Sequence, residues 1–525
     1  MHASLTHTRA ATGAARWLVT PSQWGEWRGR YDRLPLIAAF EGEALPEQWT
    51  ACWHPRTVSV LLETGKQGRY TILGNGLRTR LSGNAGGAVV WQRQENGAGD
   101  RAVERLAGPP LRLLPDWLAR RRAPPVADAP PFYGGLVGYL AYDAGETLEA
   151  LRLPDRPALA YPWYVWAEVE EGWVFDHEAD VLFCFSLCPA DNVGSGRGAL
   201  ETAFARAQAK IQGLHDQWHR WRTQPVPPPP PEHPGALPPD YFTDPAMQLS
   251  QSSGDFIAAV RAAQERIAAG ETYQVNLSIR QSRPLPAPPE RIYEALRRLN
   301  PSPYMALLRF PEVTVVSGSP ELLLSVAEGR LEAHPIAATR PRGPTPEADA
   351  ALAAELASNA KECAEHLMLV DLLRNDIGRV AAFGTVRVMD FMAVERYSHV
   401  MHLVSRIEGT LAAGRTVCDA ITALFPGGTI TGAPKVRTME IIGELEPLRR
   451  GIYTGAIGWL GYHGNAKLNI AIRTLVAVDG EAQVQSGAGI VADSEPAHEF
   501  EESLNKARAL WLAAERAAAE GGARG

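Results

Sequence analysis

Near the end of the chain, Glu495, Glu499, Glu502 and Lys506 recur at i, i+4, i+7 and i+11. They run beside an apolar stripe of Phe500, Leu504, Ala507 and Trp511, which predicts one helix over 496–519. Carboxylates one turn apart can converge on a hard cation such as Mg²⁺, which takes oxygen ligands. The same row also suits a solvated face with a Glu502–Lys506 pair worth roughly a few tenths of a kcal/mol. A second predicted helix, Lys361 to Asp376, carries Glu365 and His366 next to apolar Leu369, Leu372, Leu373 and Ile377. An acid buried there needs a cation or hydrogen-bond donors, whereas an exposed one needs nothing. In Phe425-Pro-Gly-Gly-Thr-Ile-Thr-Gly-Ala-Pro-Lys435, the glycines permit a tight turn and Pro434 suits the first turn of a following helix. With Thr429, Thr431 and Lys435 close by, that helix start could cradle an anion or be a structural turn. Gly487-Ala-Gly489 could bring backbone amides close to a carboxylate or be a plain bulge. Arg473 interrupts an apolar strand, and a buried arginine requires an anionic partner, from the protein or from a ligand.

The elements that must hold these residues follow from periodicity. Phe256, Val260, Ala263 and Ile267 make one apolar helix face, with Gly270 as its stop. Strict alternation follows, with Tyr273, Val275, Leu277 and Ile279 apolar and Gln274, Asn276, Ser278 and Arg280 polar, which predicts a strand with one polar face. Earlier in the chain, Thr57–Glu63, Phe132–Leu140 and a pair within Trp173–Phe185 read as strands. The expected class is α+β with large, mainly antiparallel sheets and helices outside. A proline-dense stretch, 223–240, predicts an extended connector between an N-terminal unit (15–190) and a C-terminal unit (250–515).

Of the 525 residues, 45% are hydrophobic and 21% charged, enough for one large core or two smaller ones. The formal net charge of −7 argues against a general nucleic-acid binder. No apolar run is long enough for a membrane span, and the first residues lack the apolar core of a secretion signal. Cys52, Cys184, Cys188, Cys363 and Cys418 are odd in number and scattered, which fits a reducing, cytoplasmic setting without disulfides or a cysteine zinc site.

Taken in order, Gln274-Val-Asn-Leu, Ser319-Pro-Glu321, Pro335-Ile-Ala-Ala-Thr-Arg-Pro-Arg-Gly343, AEHLMLVDLLRND, Tyr397-Ser-His-Val-Met-His402, GGTITGAPK, AIRT and SGAGIVADS resemble the chorismate-utilising enzymes over nearly all of the chain after residue 254. The segment LLETGKQGRYTILG resembles the N-terminal half of the ammonia-using members. The resemblance implies that Glu365 and Glu502, with Glu499 beside them, hold Mg²⁺ against the ring carboxylate of chorismate. It implies that Tyr453, Arg473 and the Gly487-Ala488-Gly489 backbone grip the pyruvyl carboxylate, and that Lys506 stands near the ring carboxylate and metal. Glu321 matches the acid that protonates the departing hydroxyl, with His402 and Thr429 alongside the ring. Leu62, Glu63 and Thr64 match the region of a tryptophan pocket.

Members that add water resemble this chain but carry a lysine at the position of Gln274. Glutamine cannot act as that base, so the implied nucleophile is ammonia, delivered by a separate class I glutamine amidotransferase subunit. Tyr273-Gln-Val-Asn-Leu277 and Phe425-Pro-Gly-Gly resemble the branch that makes 4-amino-4-deoxychorismate. Ala337, where some of that branch carry a lysine, resembles the branch that makes anthranilate. The first product is the expected one and the second the alternative. A non-catalytic protein of the same fold is a third reading, against which Glu321, Glu365, Glu499, Glu502 and Arg473 all stand.

Overall fold

A computed structural model describes residues 15–47, 49–52, 57–65, 68–94, 99–194, 196–224, 237–238, 241–396 and 400–522. Most of the proline-rich connector, and Tyr397, Ser398 and His399 of one motif, lie outside the described residues.

Among the described residues, two large sheets, one of 13 strands and one of 12, make the frame, and every pairing between their named strands is antiparallel. Their inner faces meet in one core. In the 13-stranded sheet Val58, Val60, Ala306 and Leu308 point into it, and Val137, Tyr139, Val165 and Ile457 do so from the other sheet. The alternate residues point outward. Leu61, Met305 and Leu307 meet a helix layer containing Trp218 and Trp511, while Leu136 and Leu140 meet a second layer containing Leu114, Leu373 and Leu424. Strands covered on both faces need no polar side, so Gly135–Leu140 is buried at every position, and only the alternation of side-chain direction assigns each residue to a core. The layers run helix, sheet, sheet, helix, which is the expected sandwich with helices outside.

The proline-rich stretch divides the sequence but not the sheets. Val58–Glu63 pairs with Tyr304–Arg309, and Gly135–Leu140 pairs with Ala456–Gly461. Each sheet is therefore built from both sides of the connector. The periodicity did not foresee this, because a strand's partner is a non-local choice.

Several local expectations stand. The helix Ser253–Ala268 has a Ser252–Asp255 capping box, and Gly270 beyond it adopts φ +77°, open to glycine at no steric cost. The strand after it is Gln274–Pro284. Tyr273, expected on its apolar face, precedes the strand and is 71% exposed. The single C-terminal helix is two, Pro496–Asn505 and Arg508–Gly522, interrupted at Lys506 and Ala507. All five cysteines are free. Among the described residues, no helix is long and apolar enough to cross a membrane.

Candidate active site

The strand Gln274–Pro284 lies between two others that bring it the predicted residues. Glu481–Ile490 runs beside it with Asn276 opposite Gly489 and Ser278 opposite Gly487. On its other edge, Gln274 and Val275 pair with Ala433 and Gly432, and Asn276 N–H donates to Thr431 O at 2.9 Å. The turn bearing Thr429 is thereby stitched to the strand bearing Gln274. A Cβ at Gly489 would stand 2.3 Å from Gln274 Nε2, so any larger residue there would displace that amide.

Thr429 Oγ1 donates to Glu321 Oε1 at 2.7 Å. Glu321 is 7% exposed, and burial pushes its carboxyl up to about 7, against a smaller downward pull from Thr429. The cause is removal from water rather than repulsion by neighbouring acids. A carboxyl in that range can carry a proton near neutral pH and give it up.

Among the described residues, two acceptors on the same face of the strand have no partner. Gln274 Oε1 and Asn276 Oδ1 are buried without a hydrogen bond. Buried orphan acceptors cost free energy unless a ligand satisfies them. The sequence marked Asn276 as a polar position in the alternation and as part of the Gln274-Val-Asn-Leu motif, but not as an acceptor. Its value as an acceptor depends on what surrounds it.

Arg473 does not lie within a strand. It sits in the short link between Ala466–Ile470 and Thr474–Val478, with φ +51°. Thr454, whose N–H donates to Ala471 O at 2.8 Å, has φ +59°. Left-handed backbone stores strain at a residue with a side chain, most of all at a β-branched one such as Thr454, and here two left-handed residues lie on adjoining turns. Arg473 Nη1 donates to Lys506 O. Burial pulls its pKa down, partly offset by Tyr453 and Glu502. Among the described residues it forms no ion pair. Tyr453, beside it, is 7% exposed, and burial raises its phenol pKa. Lys506 Nζ is 2.7 Å from Glu502 Oε1 and 2.9 Å from Gly487 O, so the bland Glu502–Lys506 pair is present and also reaches the glycine strand.

The acids proposed for a metal are half-buried. Glu365 lies on the helix Ala360–Gly378 and Glu499 and Glu502 on Pro496–Asn505. At the rim, Lys361 Nζ of the first helix lies 2.9 Å from Asp493 Oδ2, in the turn that precedes the second. Burial raises Glu365, and the charges of Glu362, Asp493 and Glu499 add to the rise. Burial likewise raises Glu499, with Glu502 adding. Carboxylates that repel one another in a partly dry site suit an oxygen-seeking dication. Their oxygens do not all close to within 4.8 Å of one another.

Three readings change. Lys435 is no anion cradle, because Nζ is 2.7 Å from Asp376 Oδ2 and 3.2 Å from Leu424 O. Thr431 is turned inward, its hydroxyl 2.9 Å from Gly427 O. Pro434 caps the helix Lys435–Leu445 rather than starting it. His402 lies in the strand Val400–Thr410 opposite Thr339 and Glu395, two strands from Leu322–Ala327, which follows Glu321. Leu62, Glu63 and Thr64 line a separate cavity of about 430 Å³ with Tyr304, Trp459 and Lys467. There Glu63 accepts from Tyr293 at 2.7 Å, Arg297 at 2.9 Å and Trp49 at 3.1 Å.

The sequence reading missed the clamp beneath the site. Arg450 is 1% exposed and binds Glu446 at 2.7 and 2.9 Å, Asn276 O at 2.6 Å, Ile430 O at 3.0 Å and Thr454 Oγ1 at 3.3 Å. It holds the strand of Gln274, the turn of Thr429 and the turn of Tyr453 together. The i, i+4 Glu446–Arg450 spacing was a visible signal, but it resembles any surface helix pair.

Residues 61–511 match the family described as chorismate binding enzyme. The chain is 42% identical over 478 residues to aminodeoxychorismate synthase component 1 of Bacillus subtilis (strain 168), covering 91% of this chain and 96% of that protein. It is 44% identical over 467 residues to anthranilate synthase component 1 of Thermus thermophilus, covering 88% and 93%. Among solved structures, anthranilate synthase component I from Streptococcus pneumoniae TIGR4 superimposes with a TM-score of 0.69 at 31% identity, covering 84% of this chain and 92% of that one. The isochorismate synthase MenF from Escherichia coli shares the fold, with a TM-score of 0.65 at 18% identity, covering 92% of this chain and 95% of that one. With the match running through the strands, turns and helices that bear Glu321, Gln274, Arg473 and Glu502, this chain belongs to the chorismate-binding enzyme family.

Proposed function

We propose that this chain aminates chorismate with ammonia and yields 4-amino-4-deoxychorismate. The observation that carries the reading is the pair of buried acceptors without partners, Gln274 Oε1 and Asn276 Oδ1. Ammonia offers N–H donors and its own lone pair, so it needs orientation rather than a base. Glu321, protonated near neutral pH, gives its proton to the departing ring hydroxyl, and Thr429 steadies the carboxylate left behind. Arg473, with Tyr453 and the Gly487–Gly489 backbone, takes the pyruvyl carboxylate, since a planar fork of donors suits that group. His402 stands alongside the ring. Glu365 and Glu502, with Glu499, would hold Mg²⁺, which supplies positive charge to the ring carboxylate, and Lys506 adds to it.

The curated relatives are named as component 1, which supports a second subunit, and a class I glutamine amidotransferase would supply the ammonia. For the cavity at Leu62, Glu63 and Thr64, an aromatic amino acid such as tryptophan is the occupant the resemblance implies.

A second reading, anthranilate as product, is favoured by Ala337 and by the 44% identity to an anthranilate synthase component. Product identification decides between them. The purified chain is given chorismate, Mg²⁺ and an ammonium salt, and products are separated with fluorescence and mass detection. An amino product that keeps the enolpyruvyl group, and yields 4-aminobenzoate when a lyase is added, is expected. Anthranilate formed directly would overturn the proposal in favour of the second reading.

A further inference from the structure

At the opposite end of the 13-stranded sheet from Gln274, another set of side chains converges. Glu43 lies just beyond the strand Arg33–Glu41. His215 and His219 stand one turn apart on the helix Arg197–Thr223, which packs over that strand. His215 Nε2 is 3.1 Å and His219 Nε2 3.3 Å from the same oxygen, Glu43 Oε1. The three atoms all lie within 4.8 Å of one another, and among the described residues no other group of three His, Cys, Asp or Glu closes so tightly. Ligand bonds of about 2.0–2.2 Å in a tetrahedral site put neighbouring ligand atoms roughly 3.3–3.6 Å apart, so both nitrogen–oxygen distances are within a few tenths of an ångström of that spacing.

The surroundings fix these atoms. The His215 ring is buried and stacks on Phe40 at 3.7 Å and 7°. Trp218, between the two histidines, donates to Ala44 O at 3.1 Å and pins the residue next to Glu43 against the helix. Arg222 donates to the other carboxylate oxygen, Oε2, and leaves Oε1 facing the imidazoles. The His219 side chain is 46% exposed, so one side of the group opens to water.

The structure assigns to Glu43, His215 and His219 a metal site separate from the acidic cluster, suited to Zn²⁺ with a fourth position open to solvent. Imidazole nitrogen selects zinc over magnesium, which prefers an all-oxygen shell. The metal would tie the end of an edge-side strand to the last turns of the helix that leads into the proline-rich stretch. Because the unfolded chain lacks the site, binding would raise the stability of the folded form.

The test uses the full chain, stripped with chelator and equilibrated with Zn²⁺ in excess Mg²⁺. Equilibrium dialysis counts bound zinc, calorimetry reads Tm, and Co²⁺ in place of Zn²⁺ reports nitrogen coordination by its visible absorption. The native chain should retain one equivalent and gain Tm. His219→Ala, at a part-exposed position, should weaken binding by more than about 100-fold and abolish the gain. Arg222→Met, which only loses the orienting contact, should weaken it by about 10-fold. Glu502→Gln should leave zinc binding unchanged. Zinc retained equally by the native chain and His219→Ala, or no zinc retained by the native chain, would overturn the assignment and leave a hydrogen-bonded hub around Glu43.

Discussion

The wall of the site and the clamp beneath it use the same residue type in opposite ways. In the clamp, Glu446 is 4% exposed and accepts from Ser278 N and Oγ as well as from Arg450 Nε and Nη2. In the wall, Glu321 is 7% exposed and its carboxyl accepts from the single hydroxyl of Thr429. Burial is nearly equal, so partners make the difference. A buried acid with a full set of donors is structure. One left short of them holds its proton to higher pH and is available to a ligand. Arg450 and Arg473 repeat the contrast for the cation, one bound on every side and the other without an ion pair among the described residues.

Substitutions can break or sharpen that contrast. The largest effect is expected at Glu365→Ala, where chorismate consumption in the presence of Mg²⁺ should be almost abolished with the fold intact. Full activity there would remove Glu365 from the metal site. Glu321→Gln should lower kcat by about 10²–10⁴ while leaving Tm nearly unchanged. A large loss of Tm would move Glu321 to the structural class. Glu446→Ala should do the reverse, losing about 3–5 kcal/mol in denaturant unfolding because the Arg450 charge is left buried and unpaired. If that variant keeps its stability and loses only turnover, the contrast fails. A pH–rate profile gives a finer test. The useful form of Glu321 is the acid, so the rate should fall as pH rises through about 7. Thr429→Val removes the bond that favours the carboxylate and should move that limb to higher pH. A limb that stays put means another group sets it. The smallest effect is expected at Lys506→Met. Its pair with Glu502 is 34% and 41% exposed, so unfolding should change by less than about 1 kcal/mol.

The legible parts of the site were those whose signal is local. Glycines at 487 and 489 mark close approach, and Gln274 stands on a strand announced by its own alternation. The helices carrying Glu365 and Glu502 follow from apolar spacing. The illegible parts required knowing a neighbour. Lys435 looked available to an anion until Asp376, far away in sequence, occupied it. Arg473 looked like a strand residue, and its turn exists only because the strands on either side belong to different sheets. Lys506 continued a perfect helical stripe, yet the helix breaks there, where the Lys506 carbonyl meets Arg473. Asn276 stood in a recognised motif but nothing local showed its oxygen as an unsatisfied acceptor, and Arg450 carried no mark that separates it from an ordinary polar residue.

By itself, the amino-acid order determined the element types, the α+β class and, through its run of motifs, the family, because periodicity, turn residues and spacing are properties of neighbours along the chain. Tertiary structure alone decided that both sheets cross the proline-rich stretch, which acids are satisfied and which are left short of donors, and that Glu43, His215 and His219 meet. Each of these is a contact between distant segments, and its energy depends on burial and on the full set of partners, neither of which exists until the chain has closed on itself.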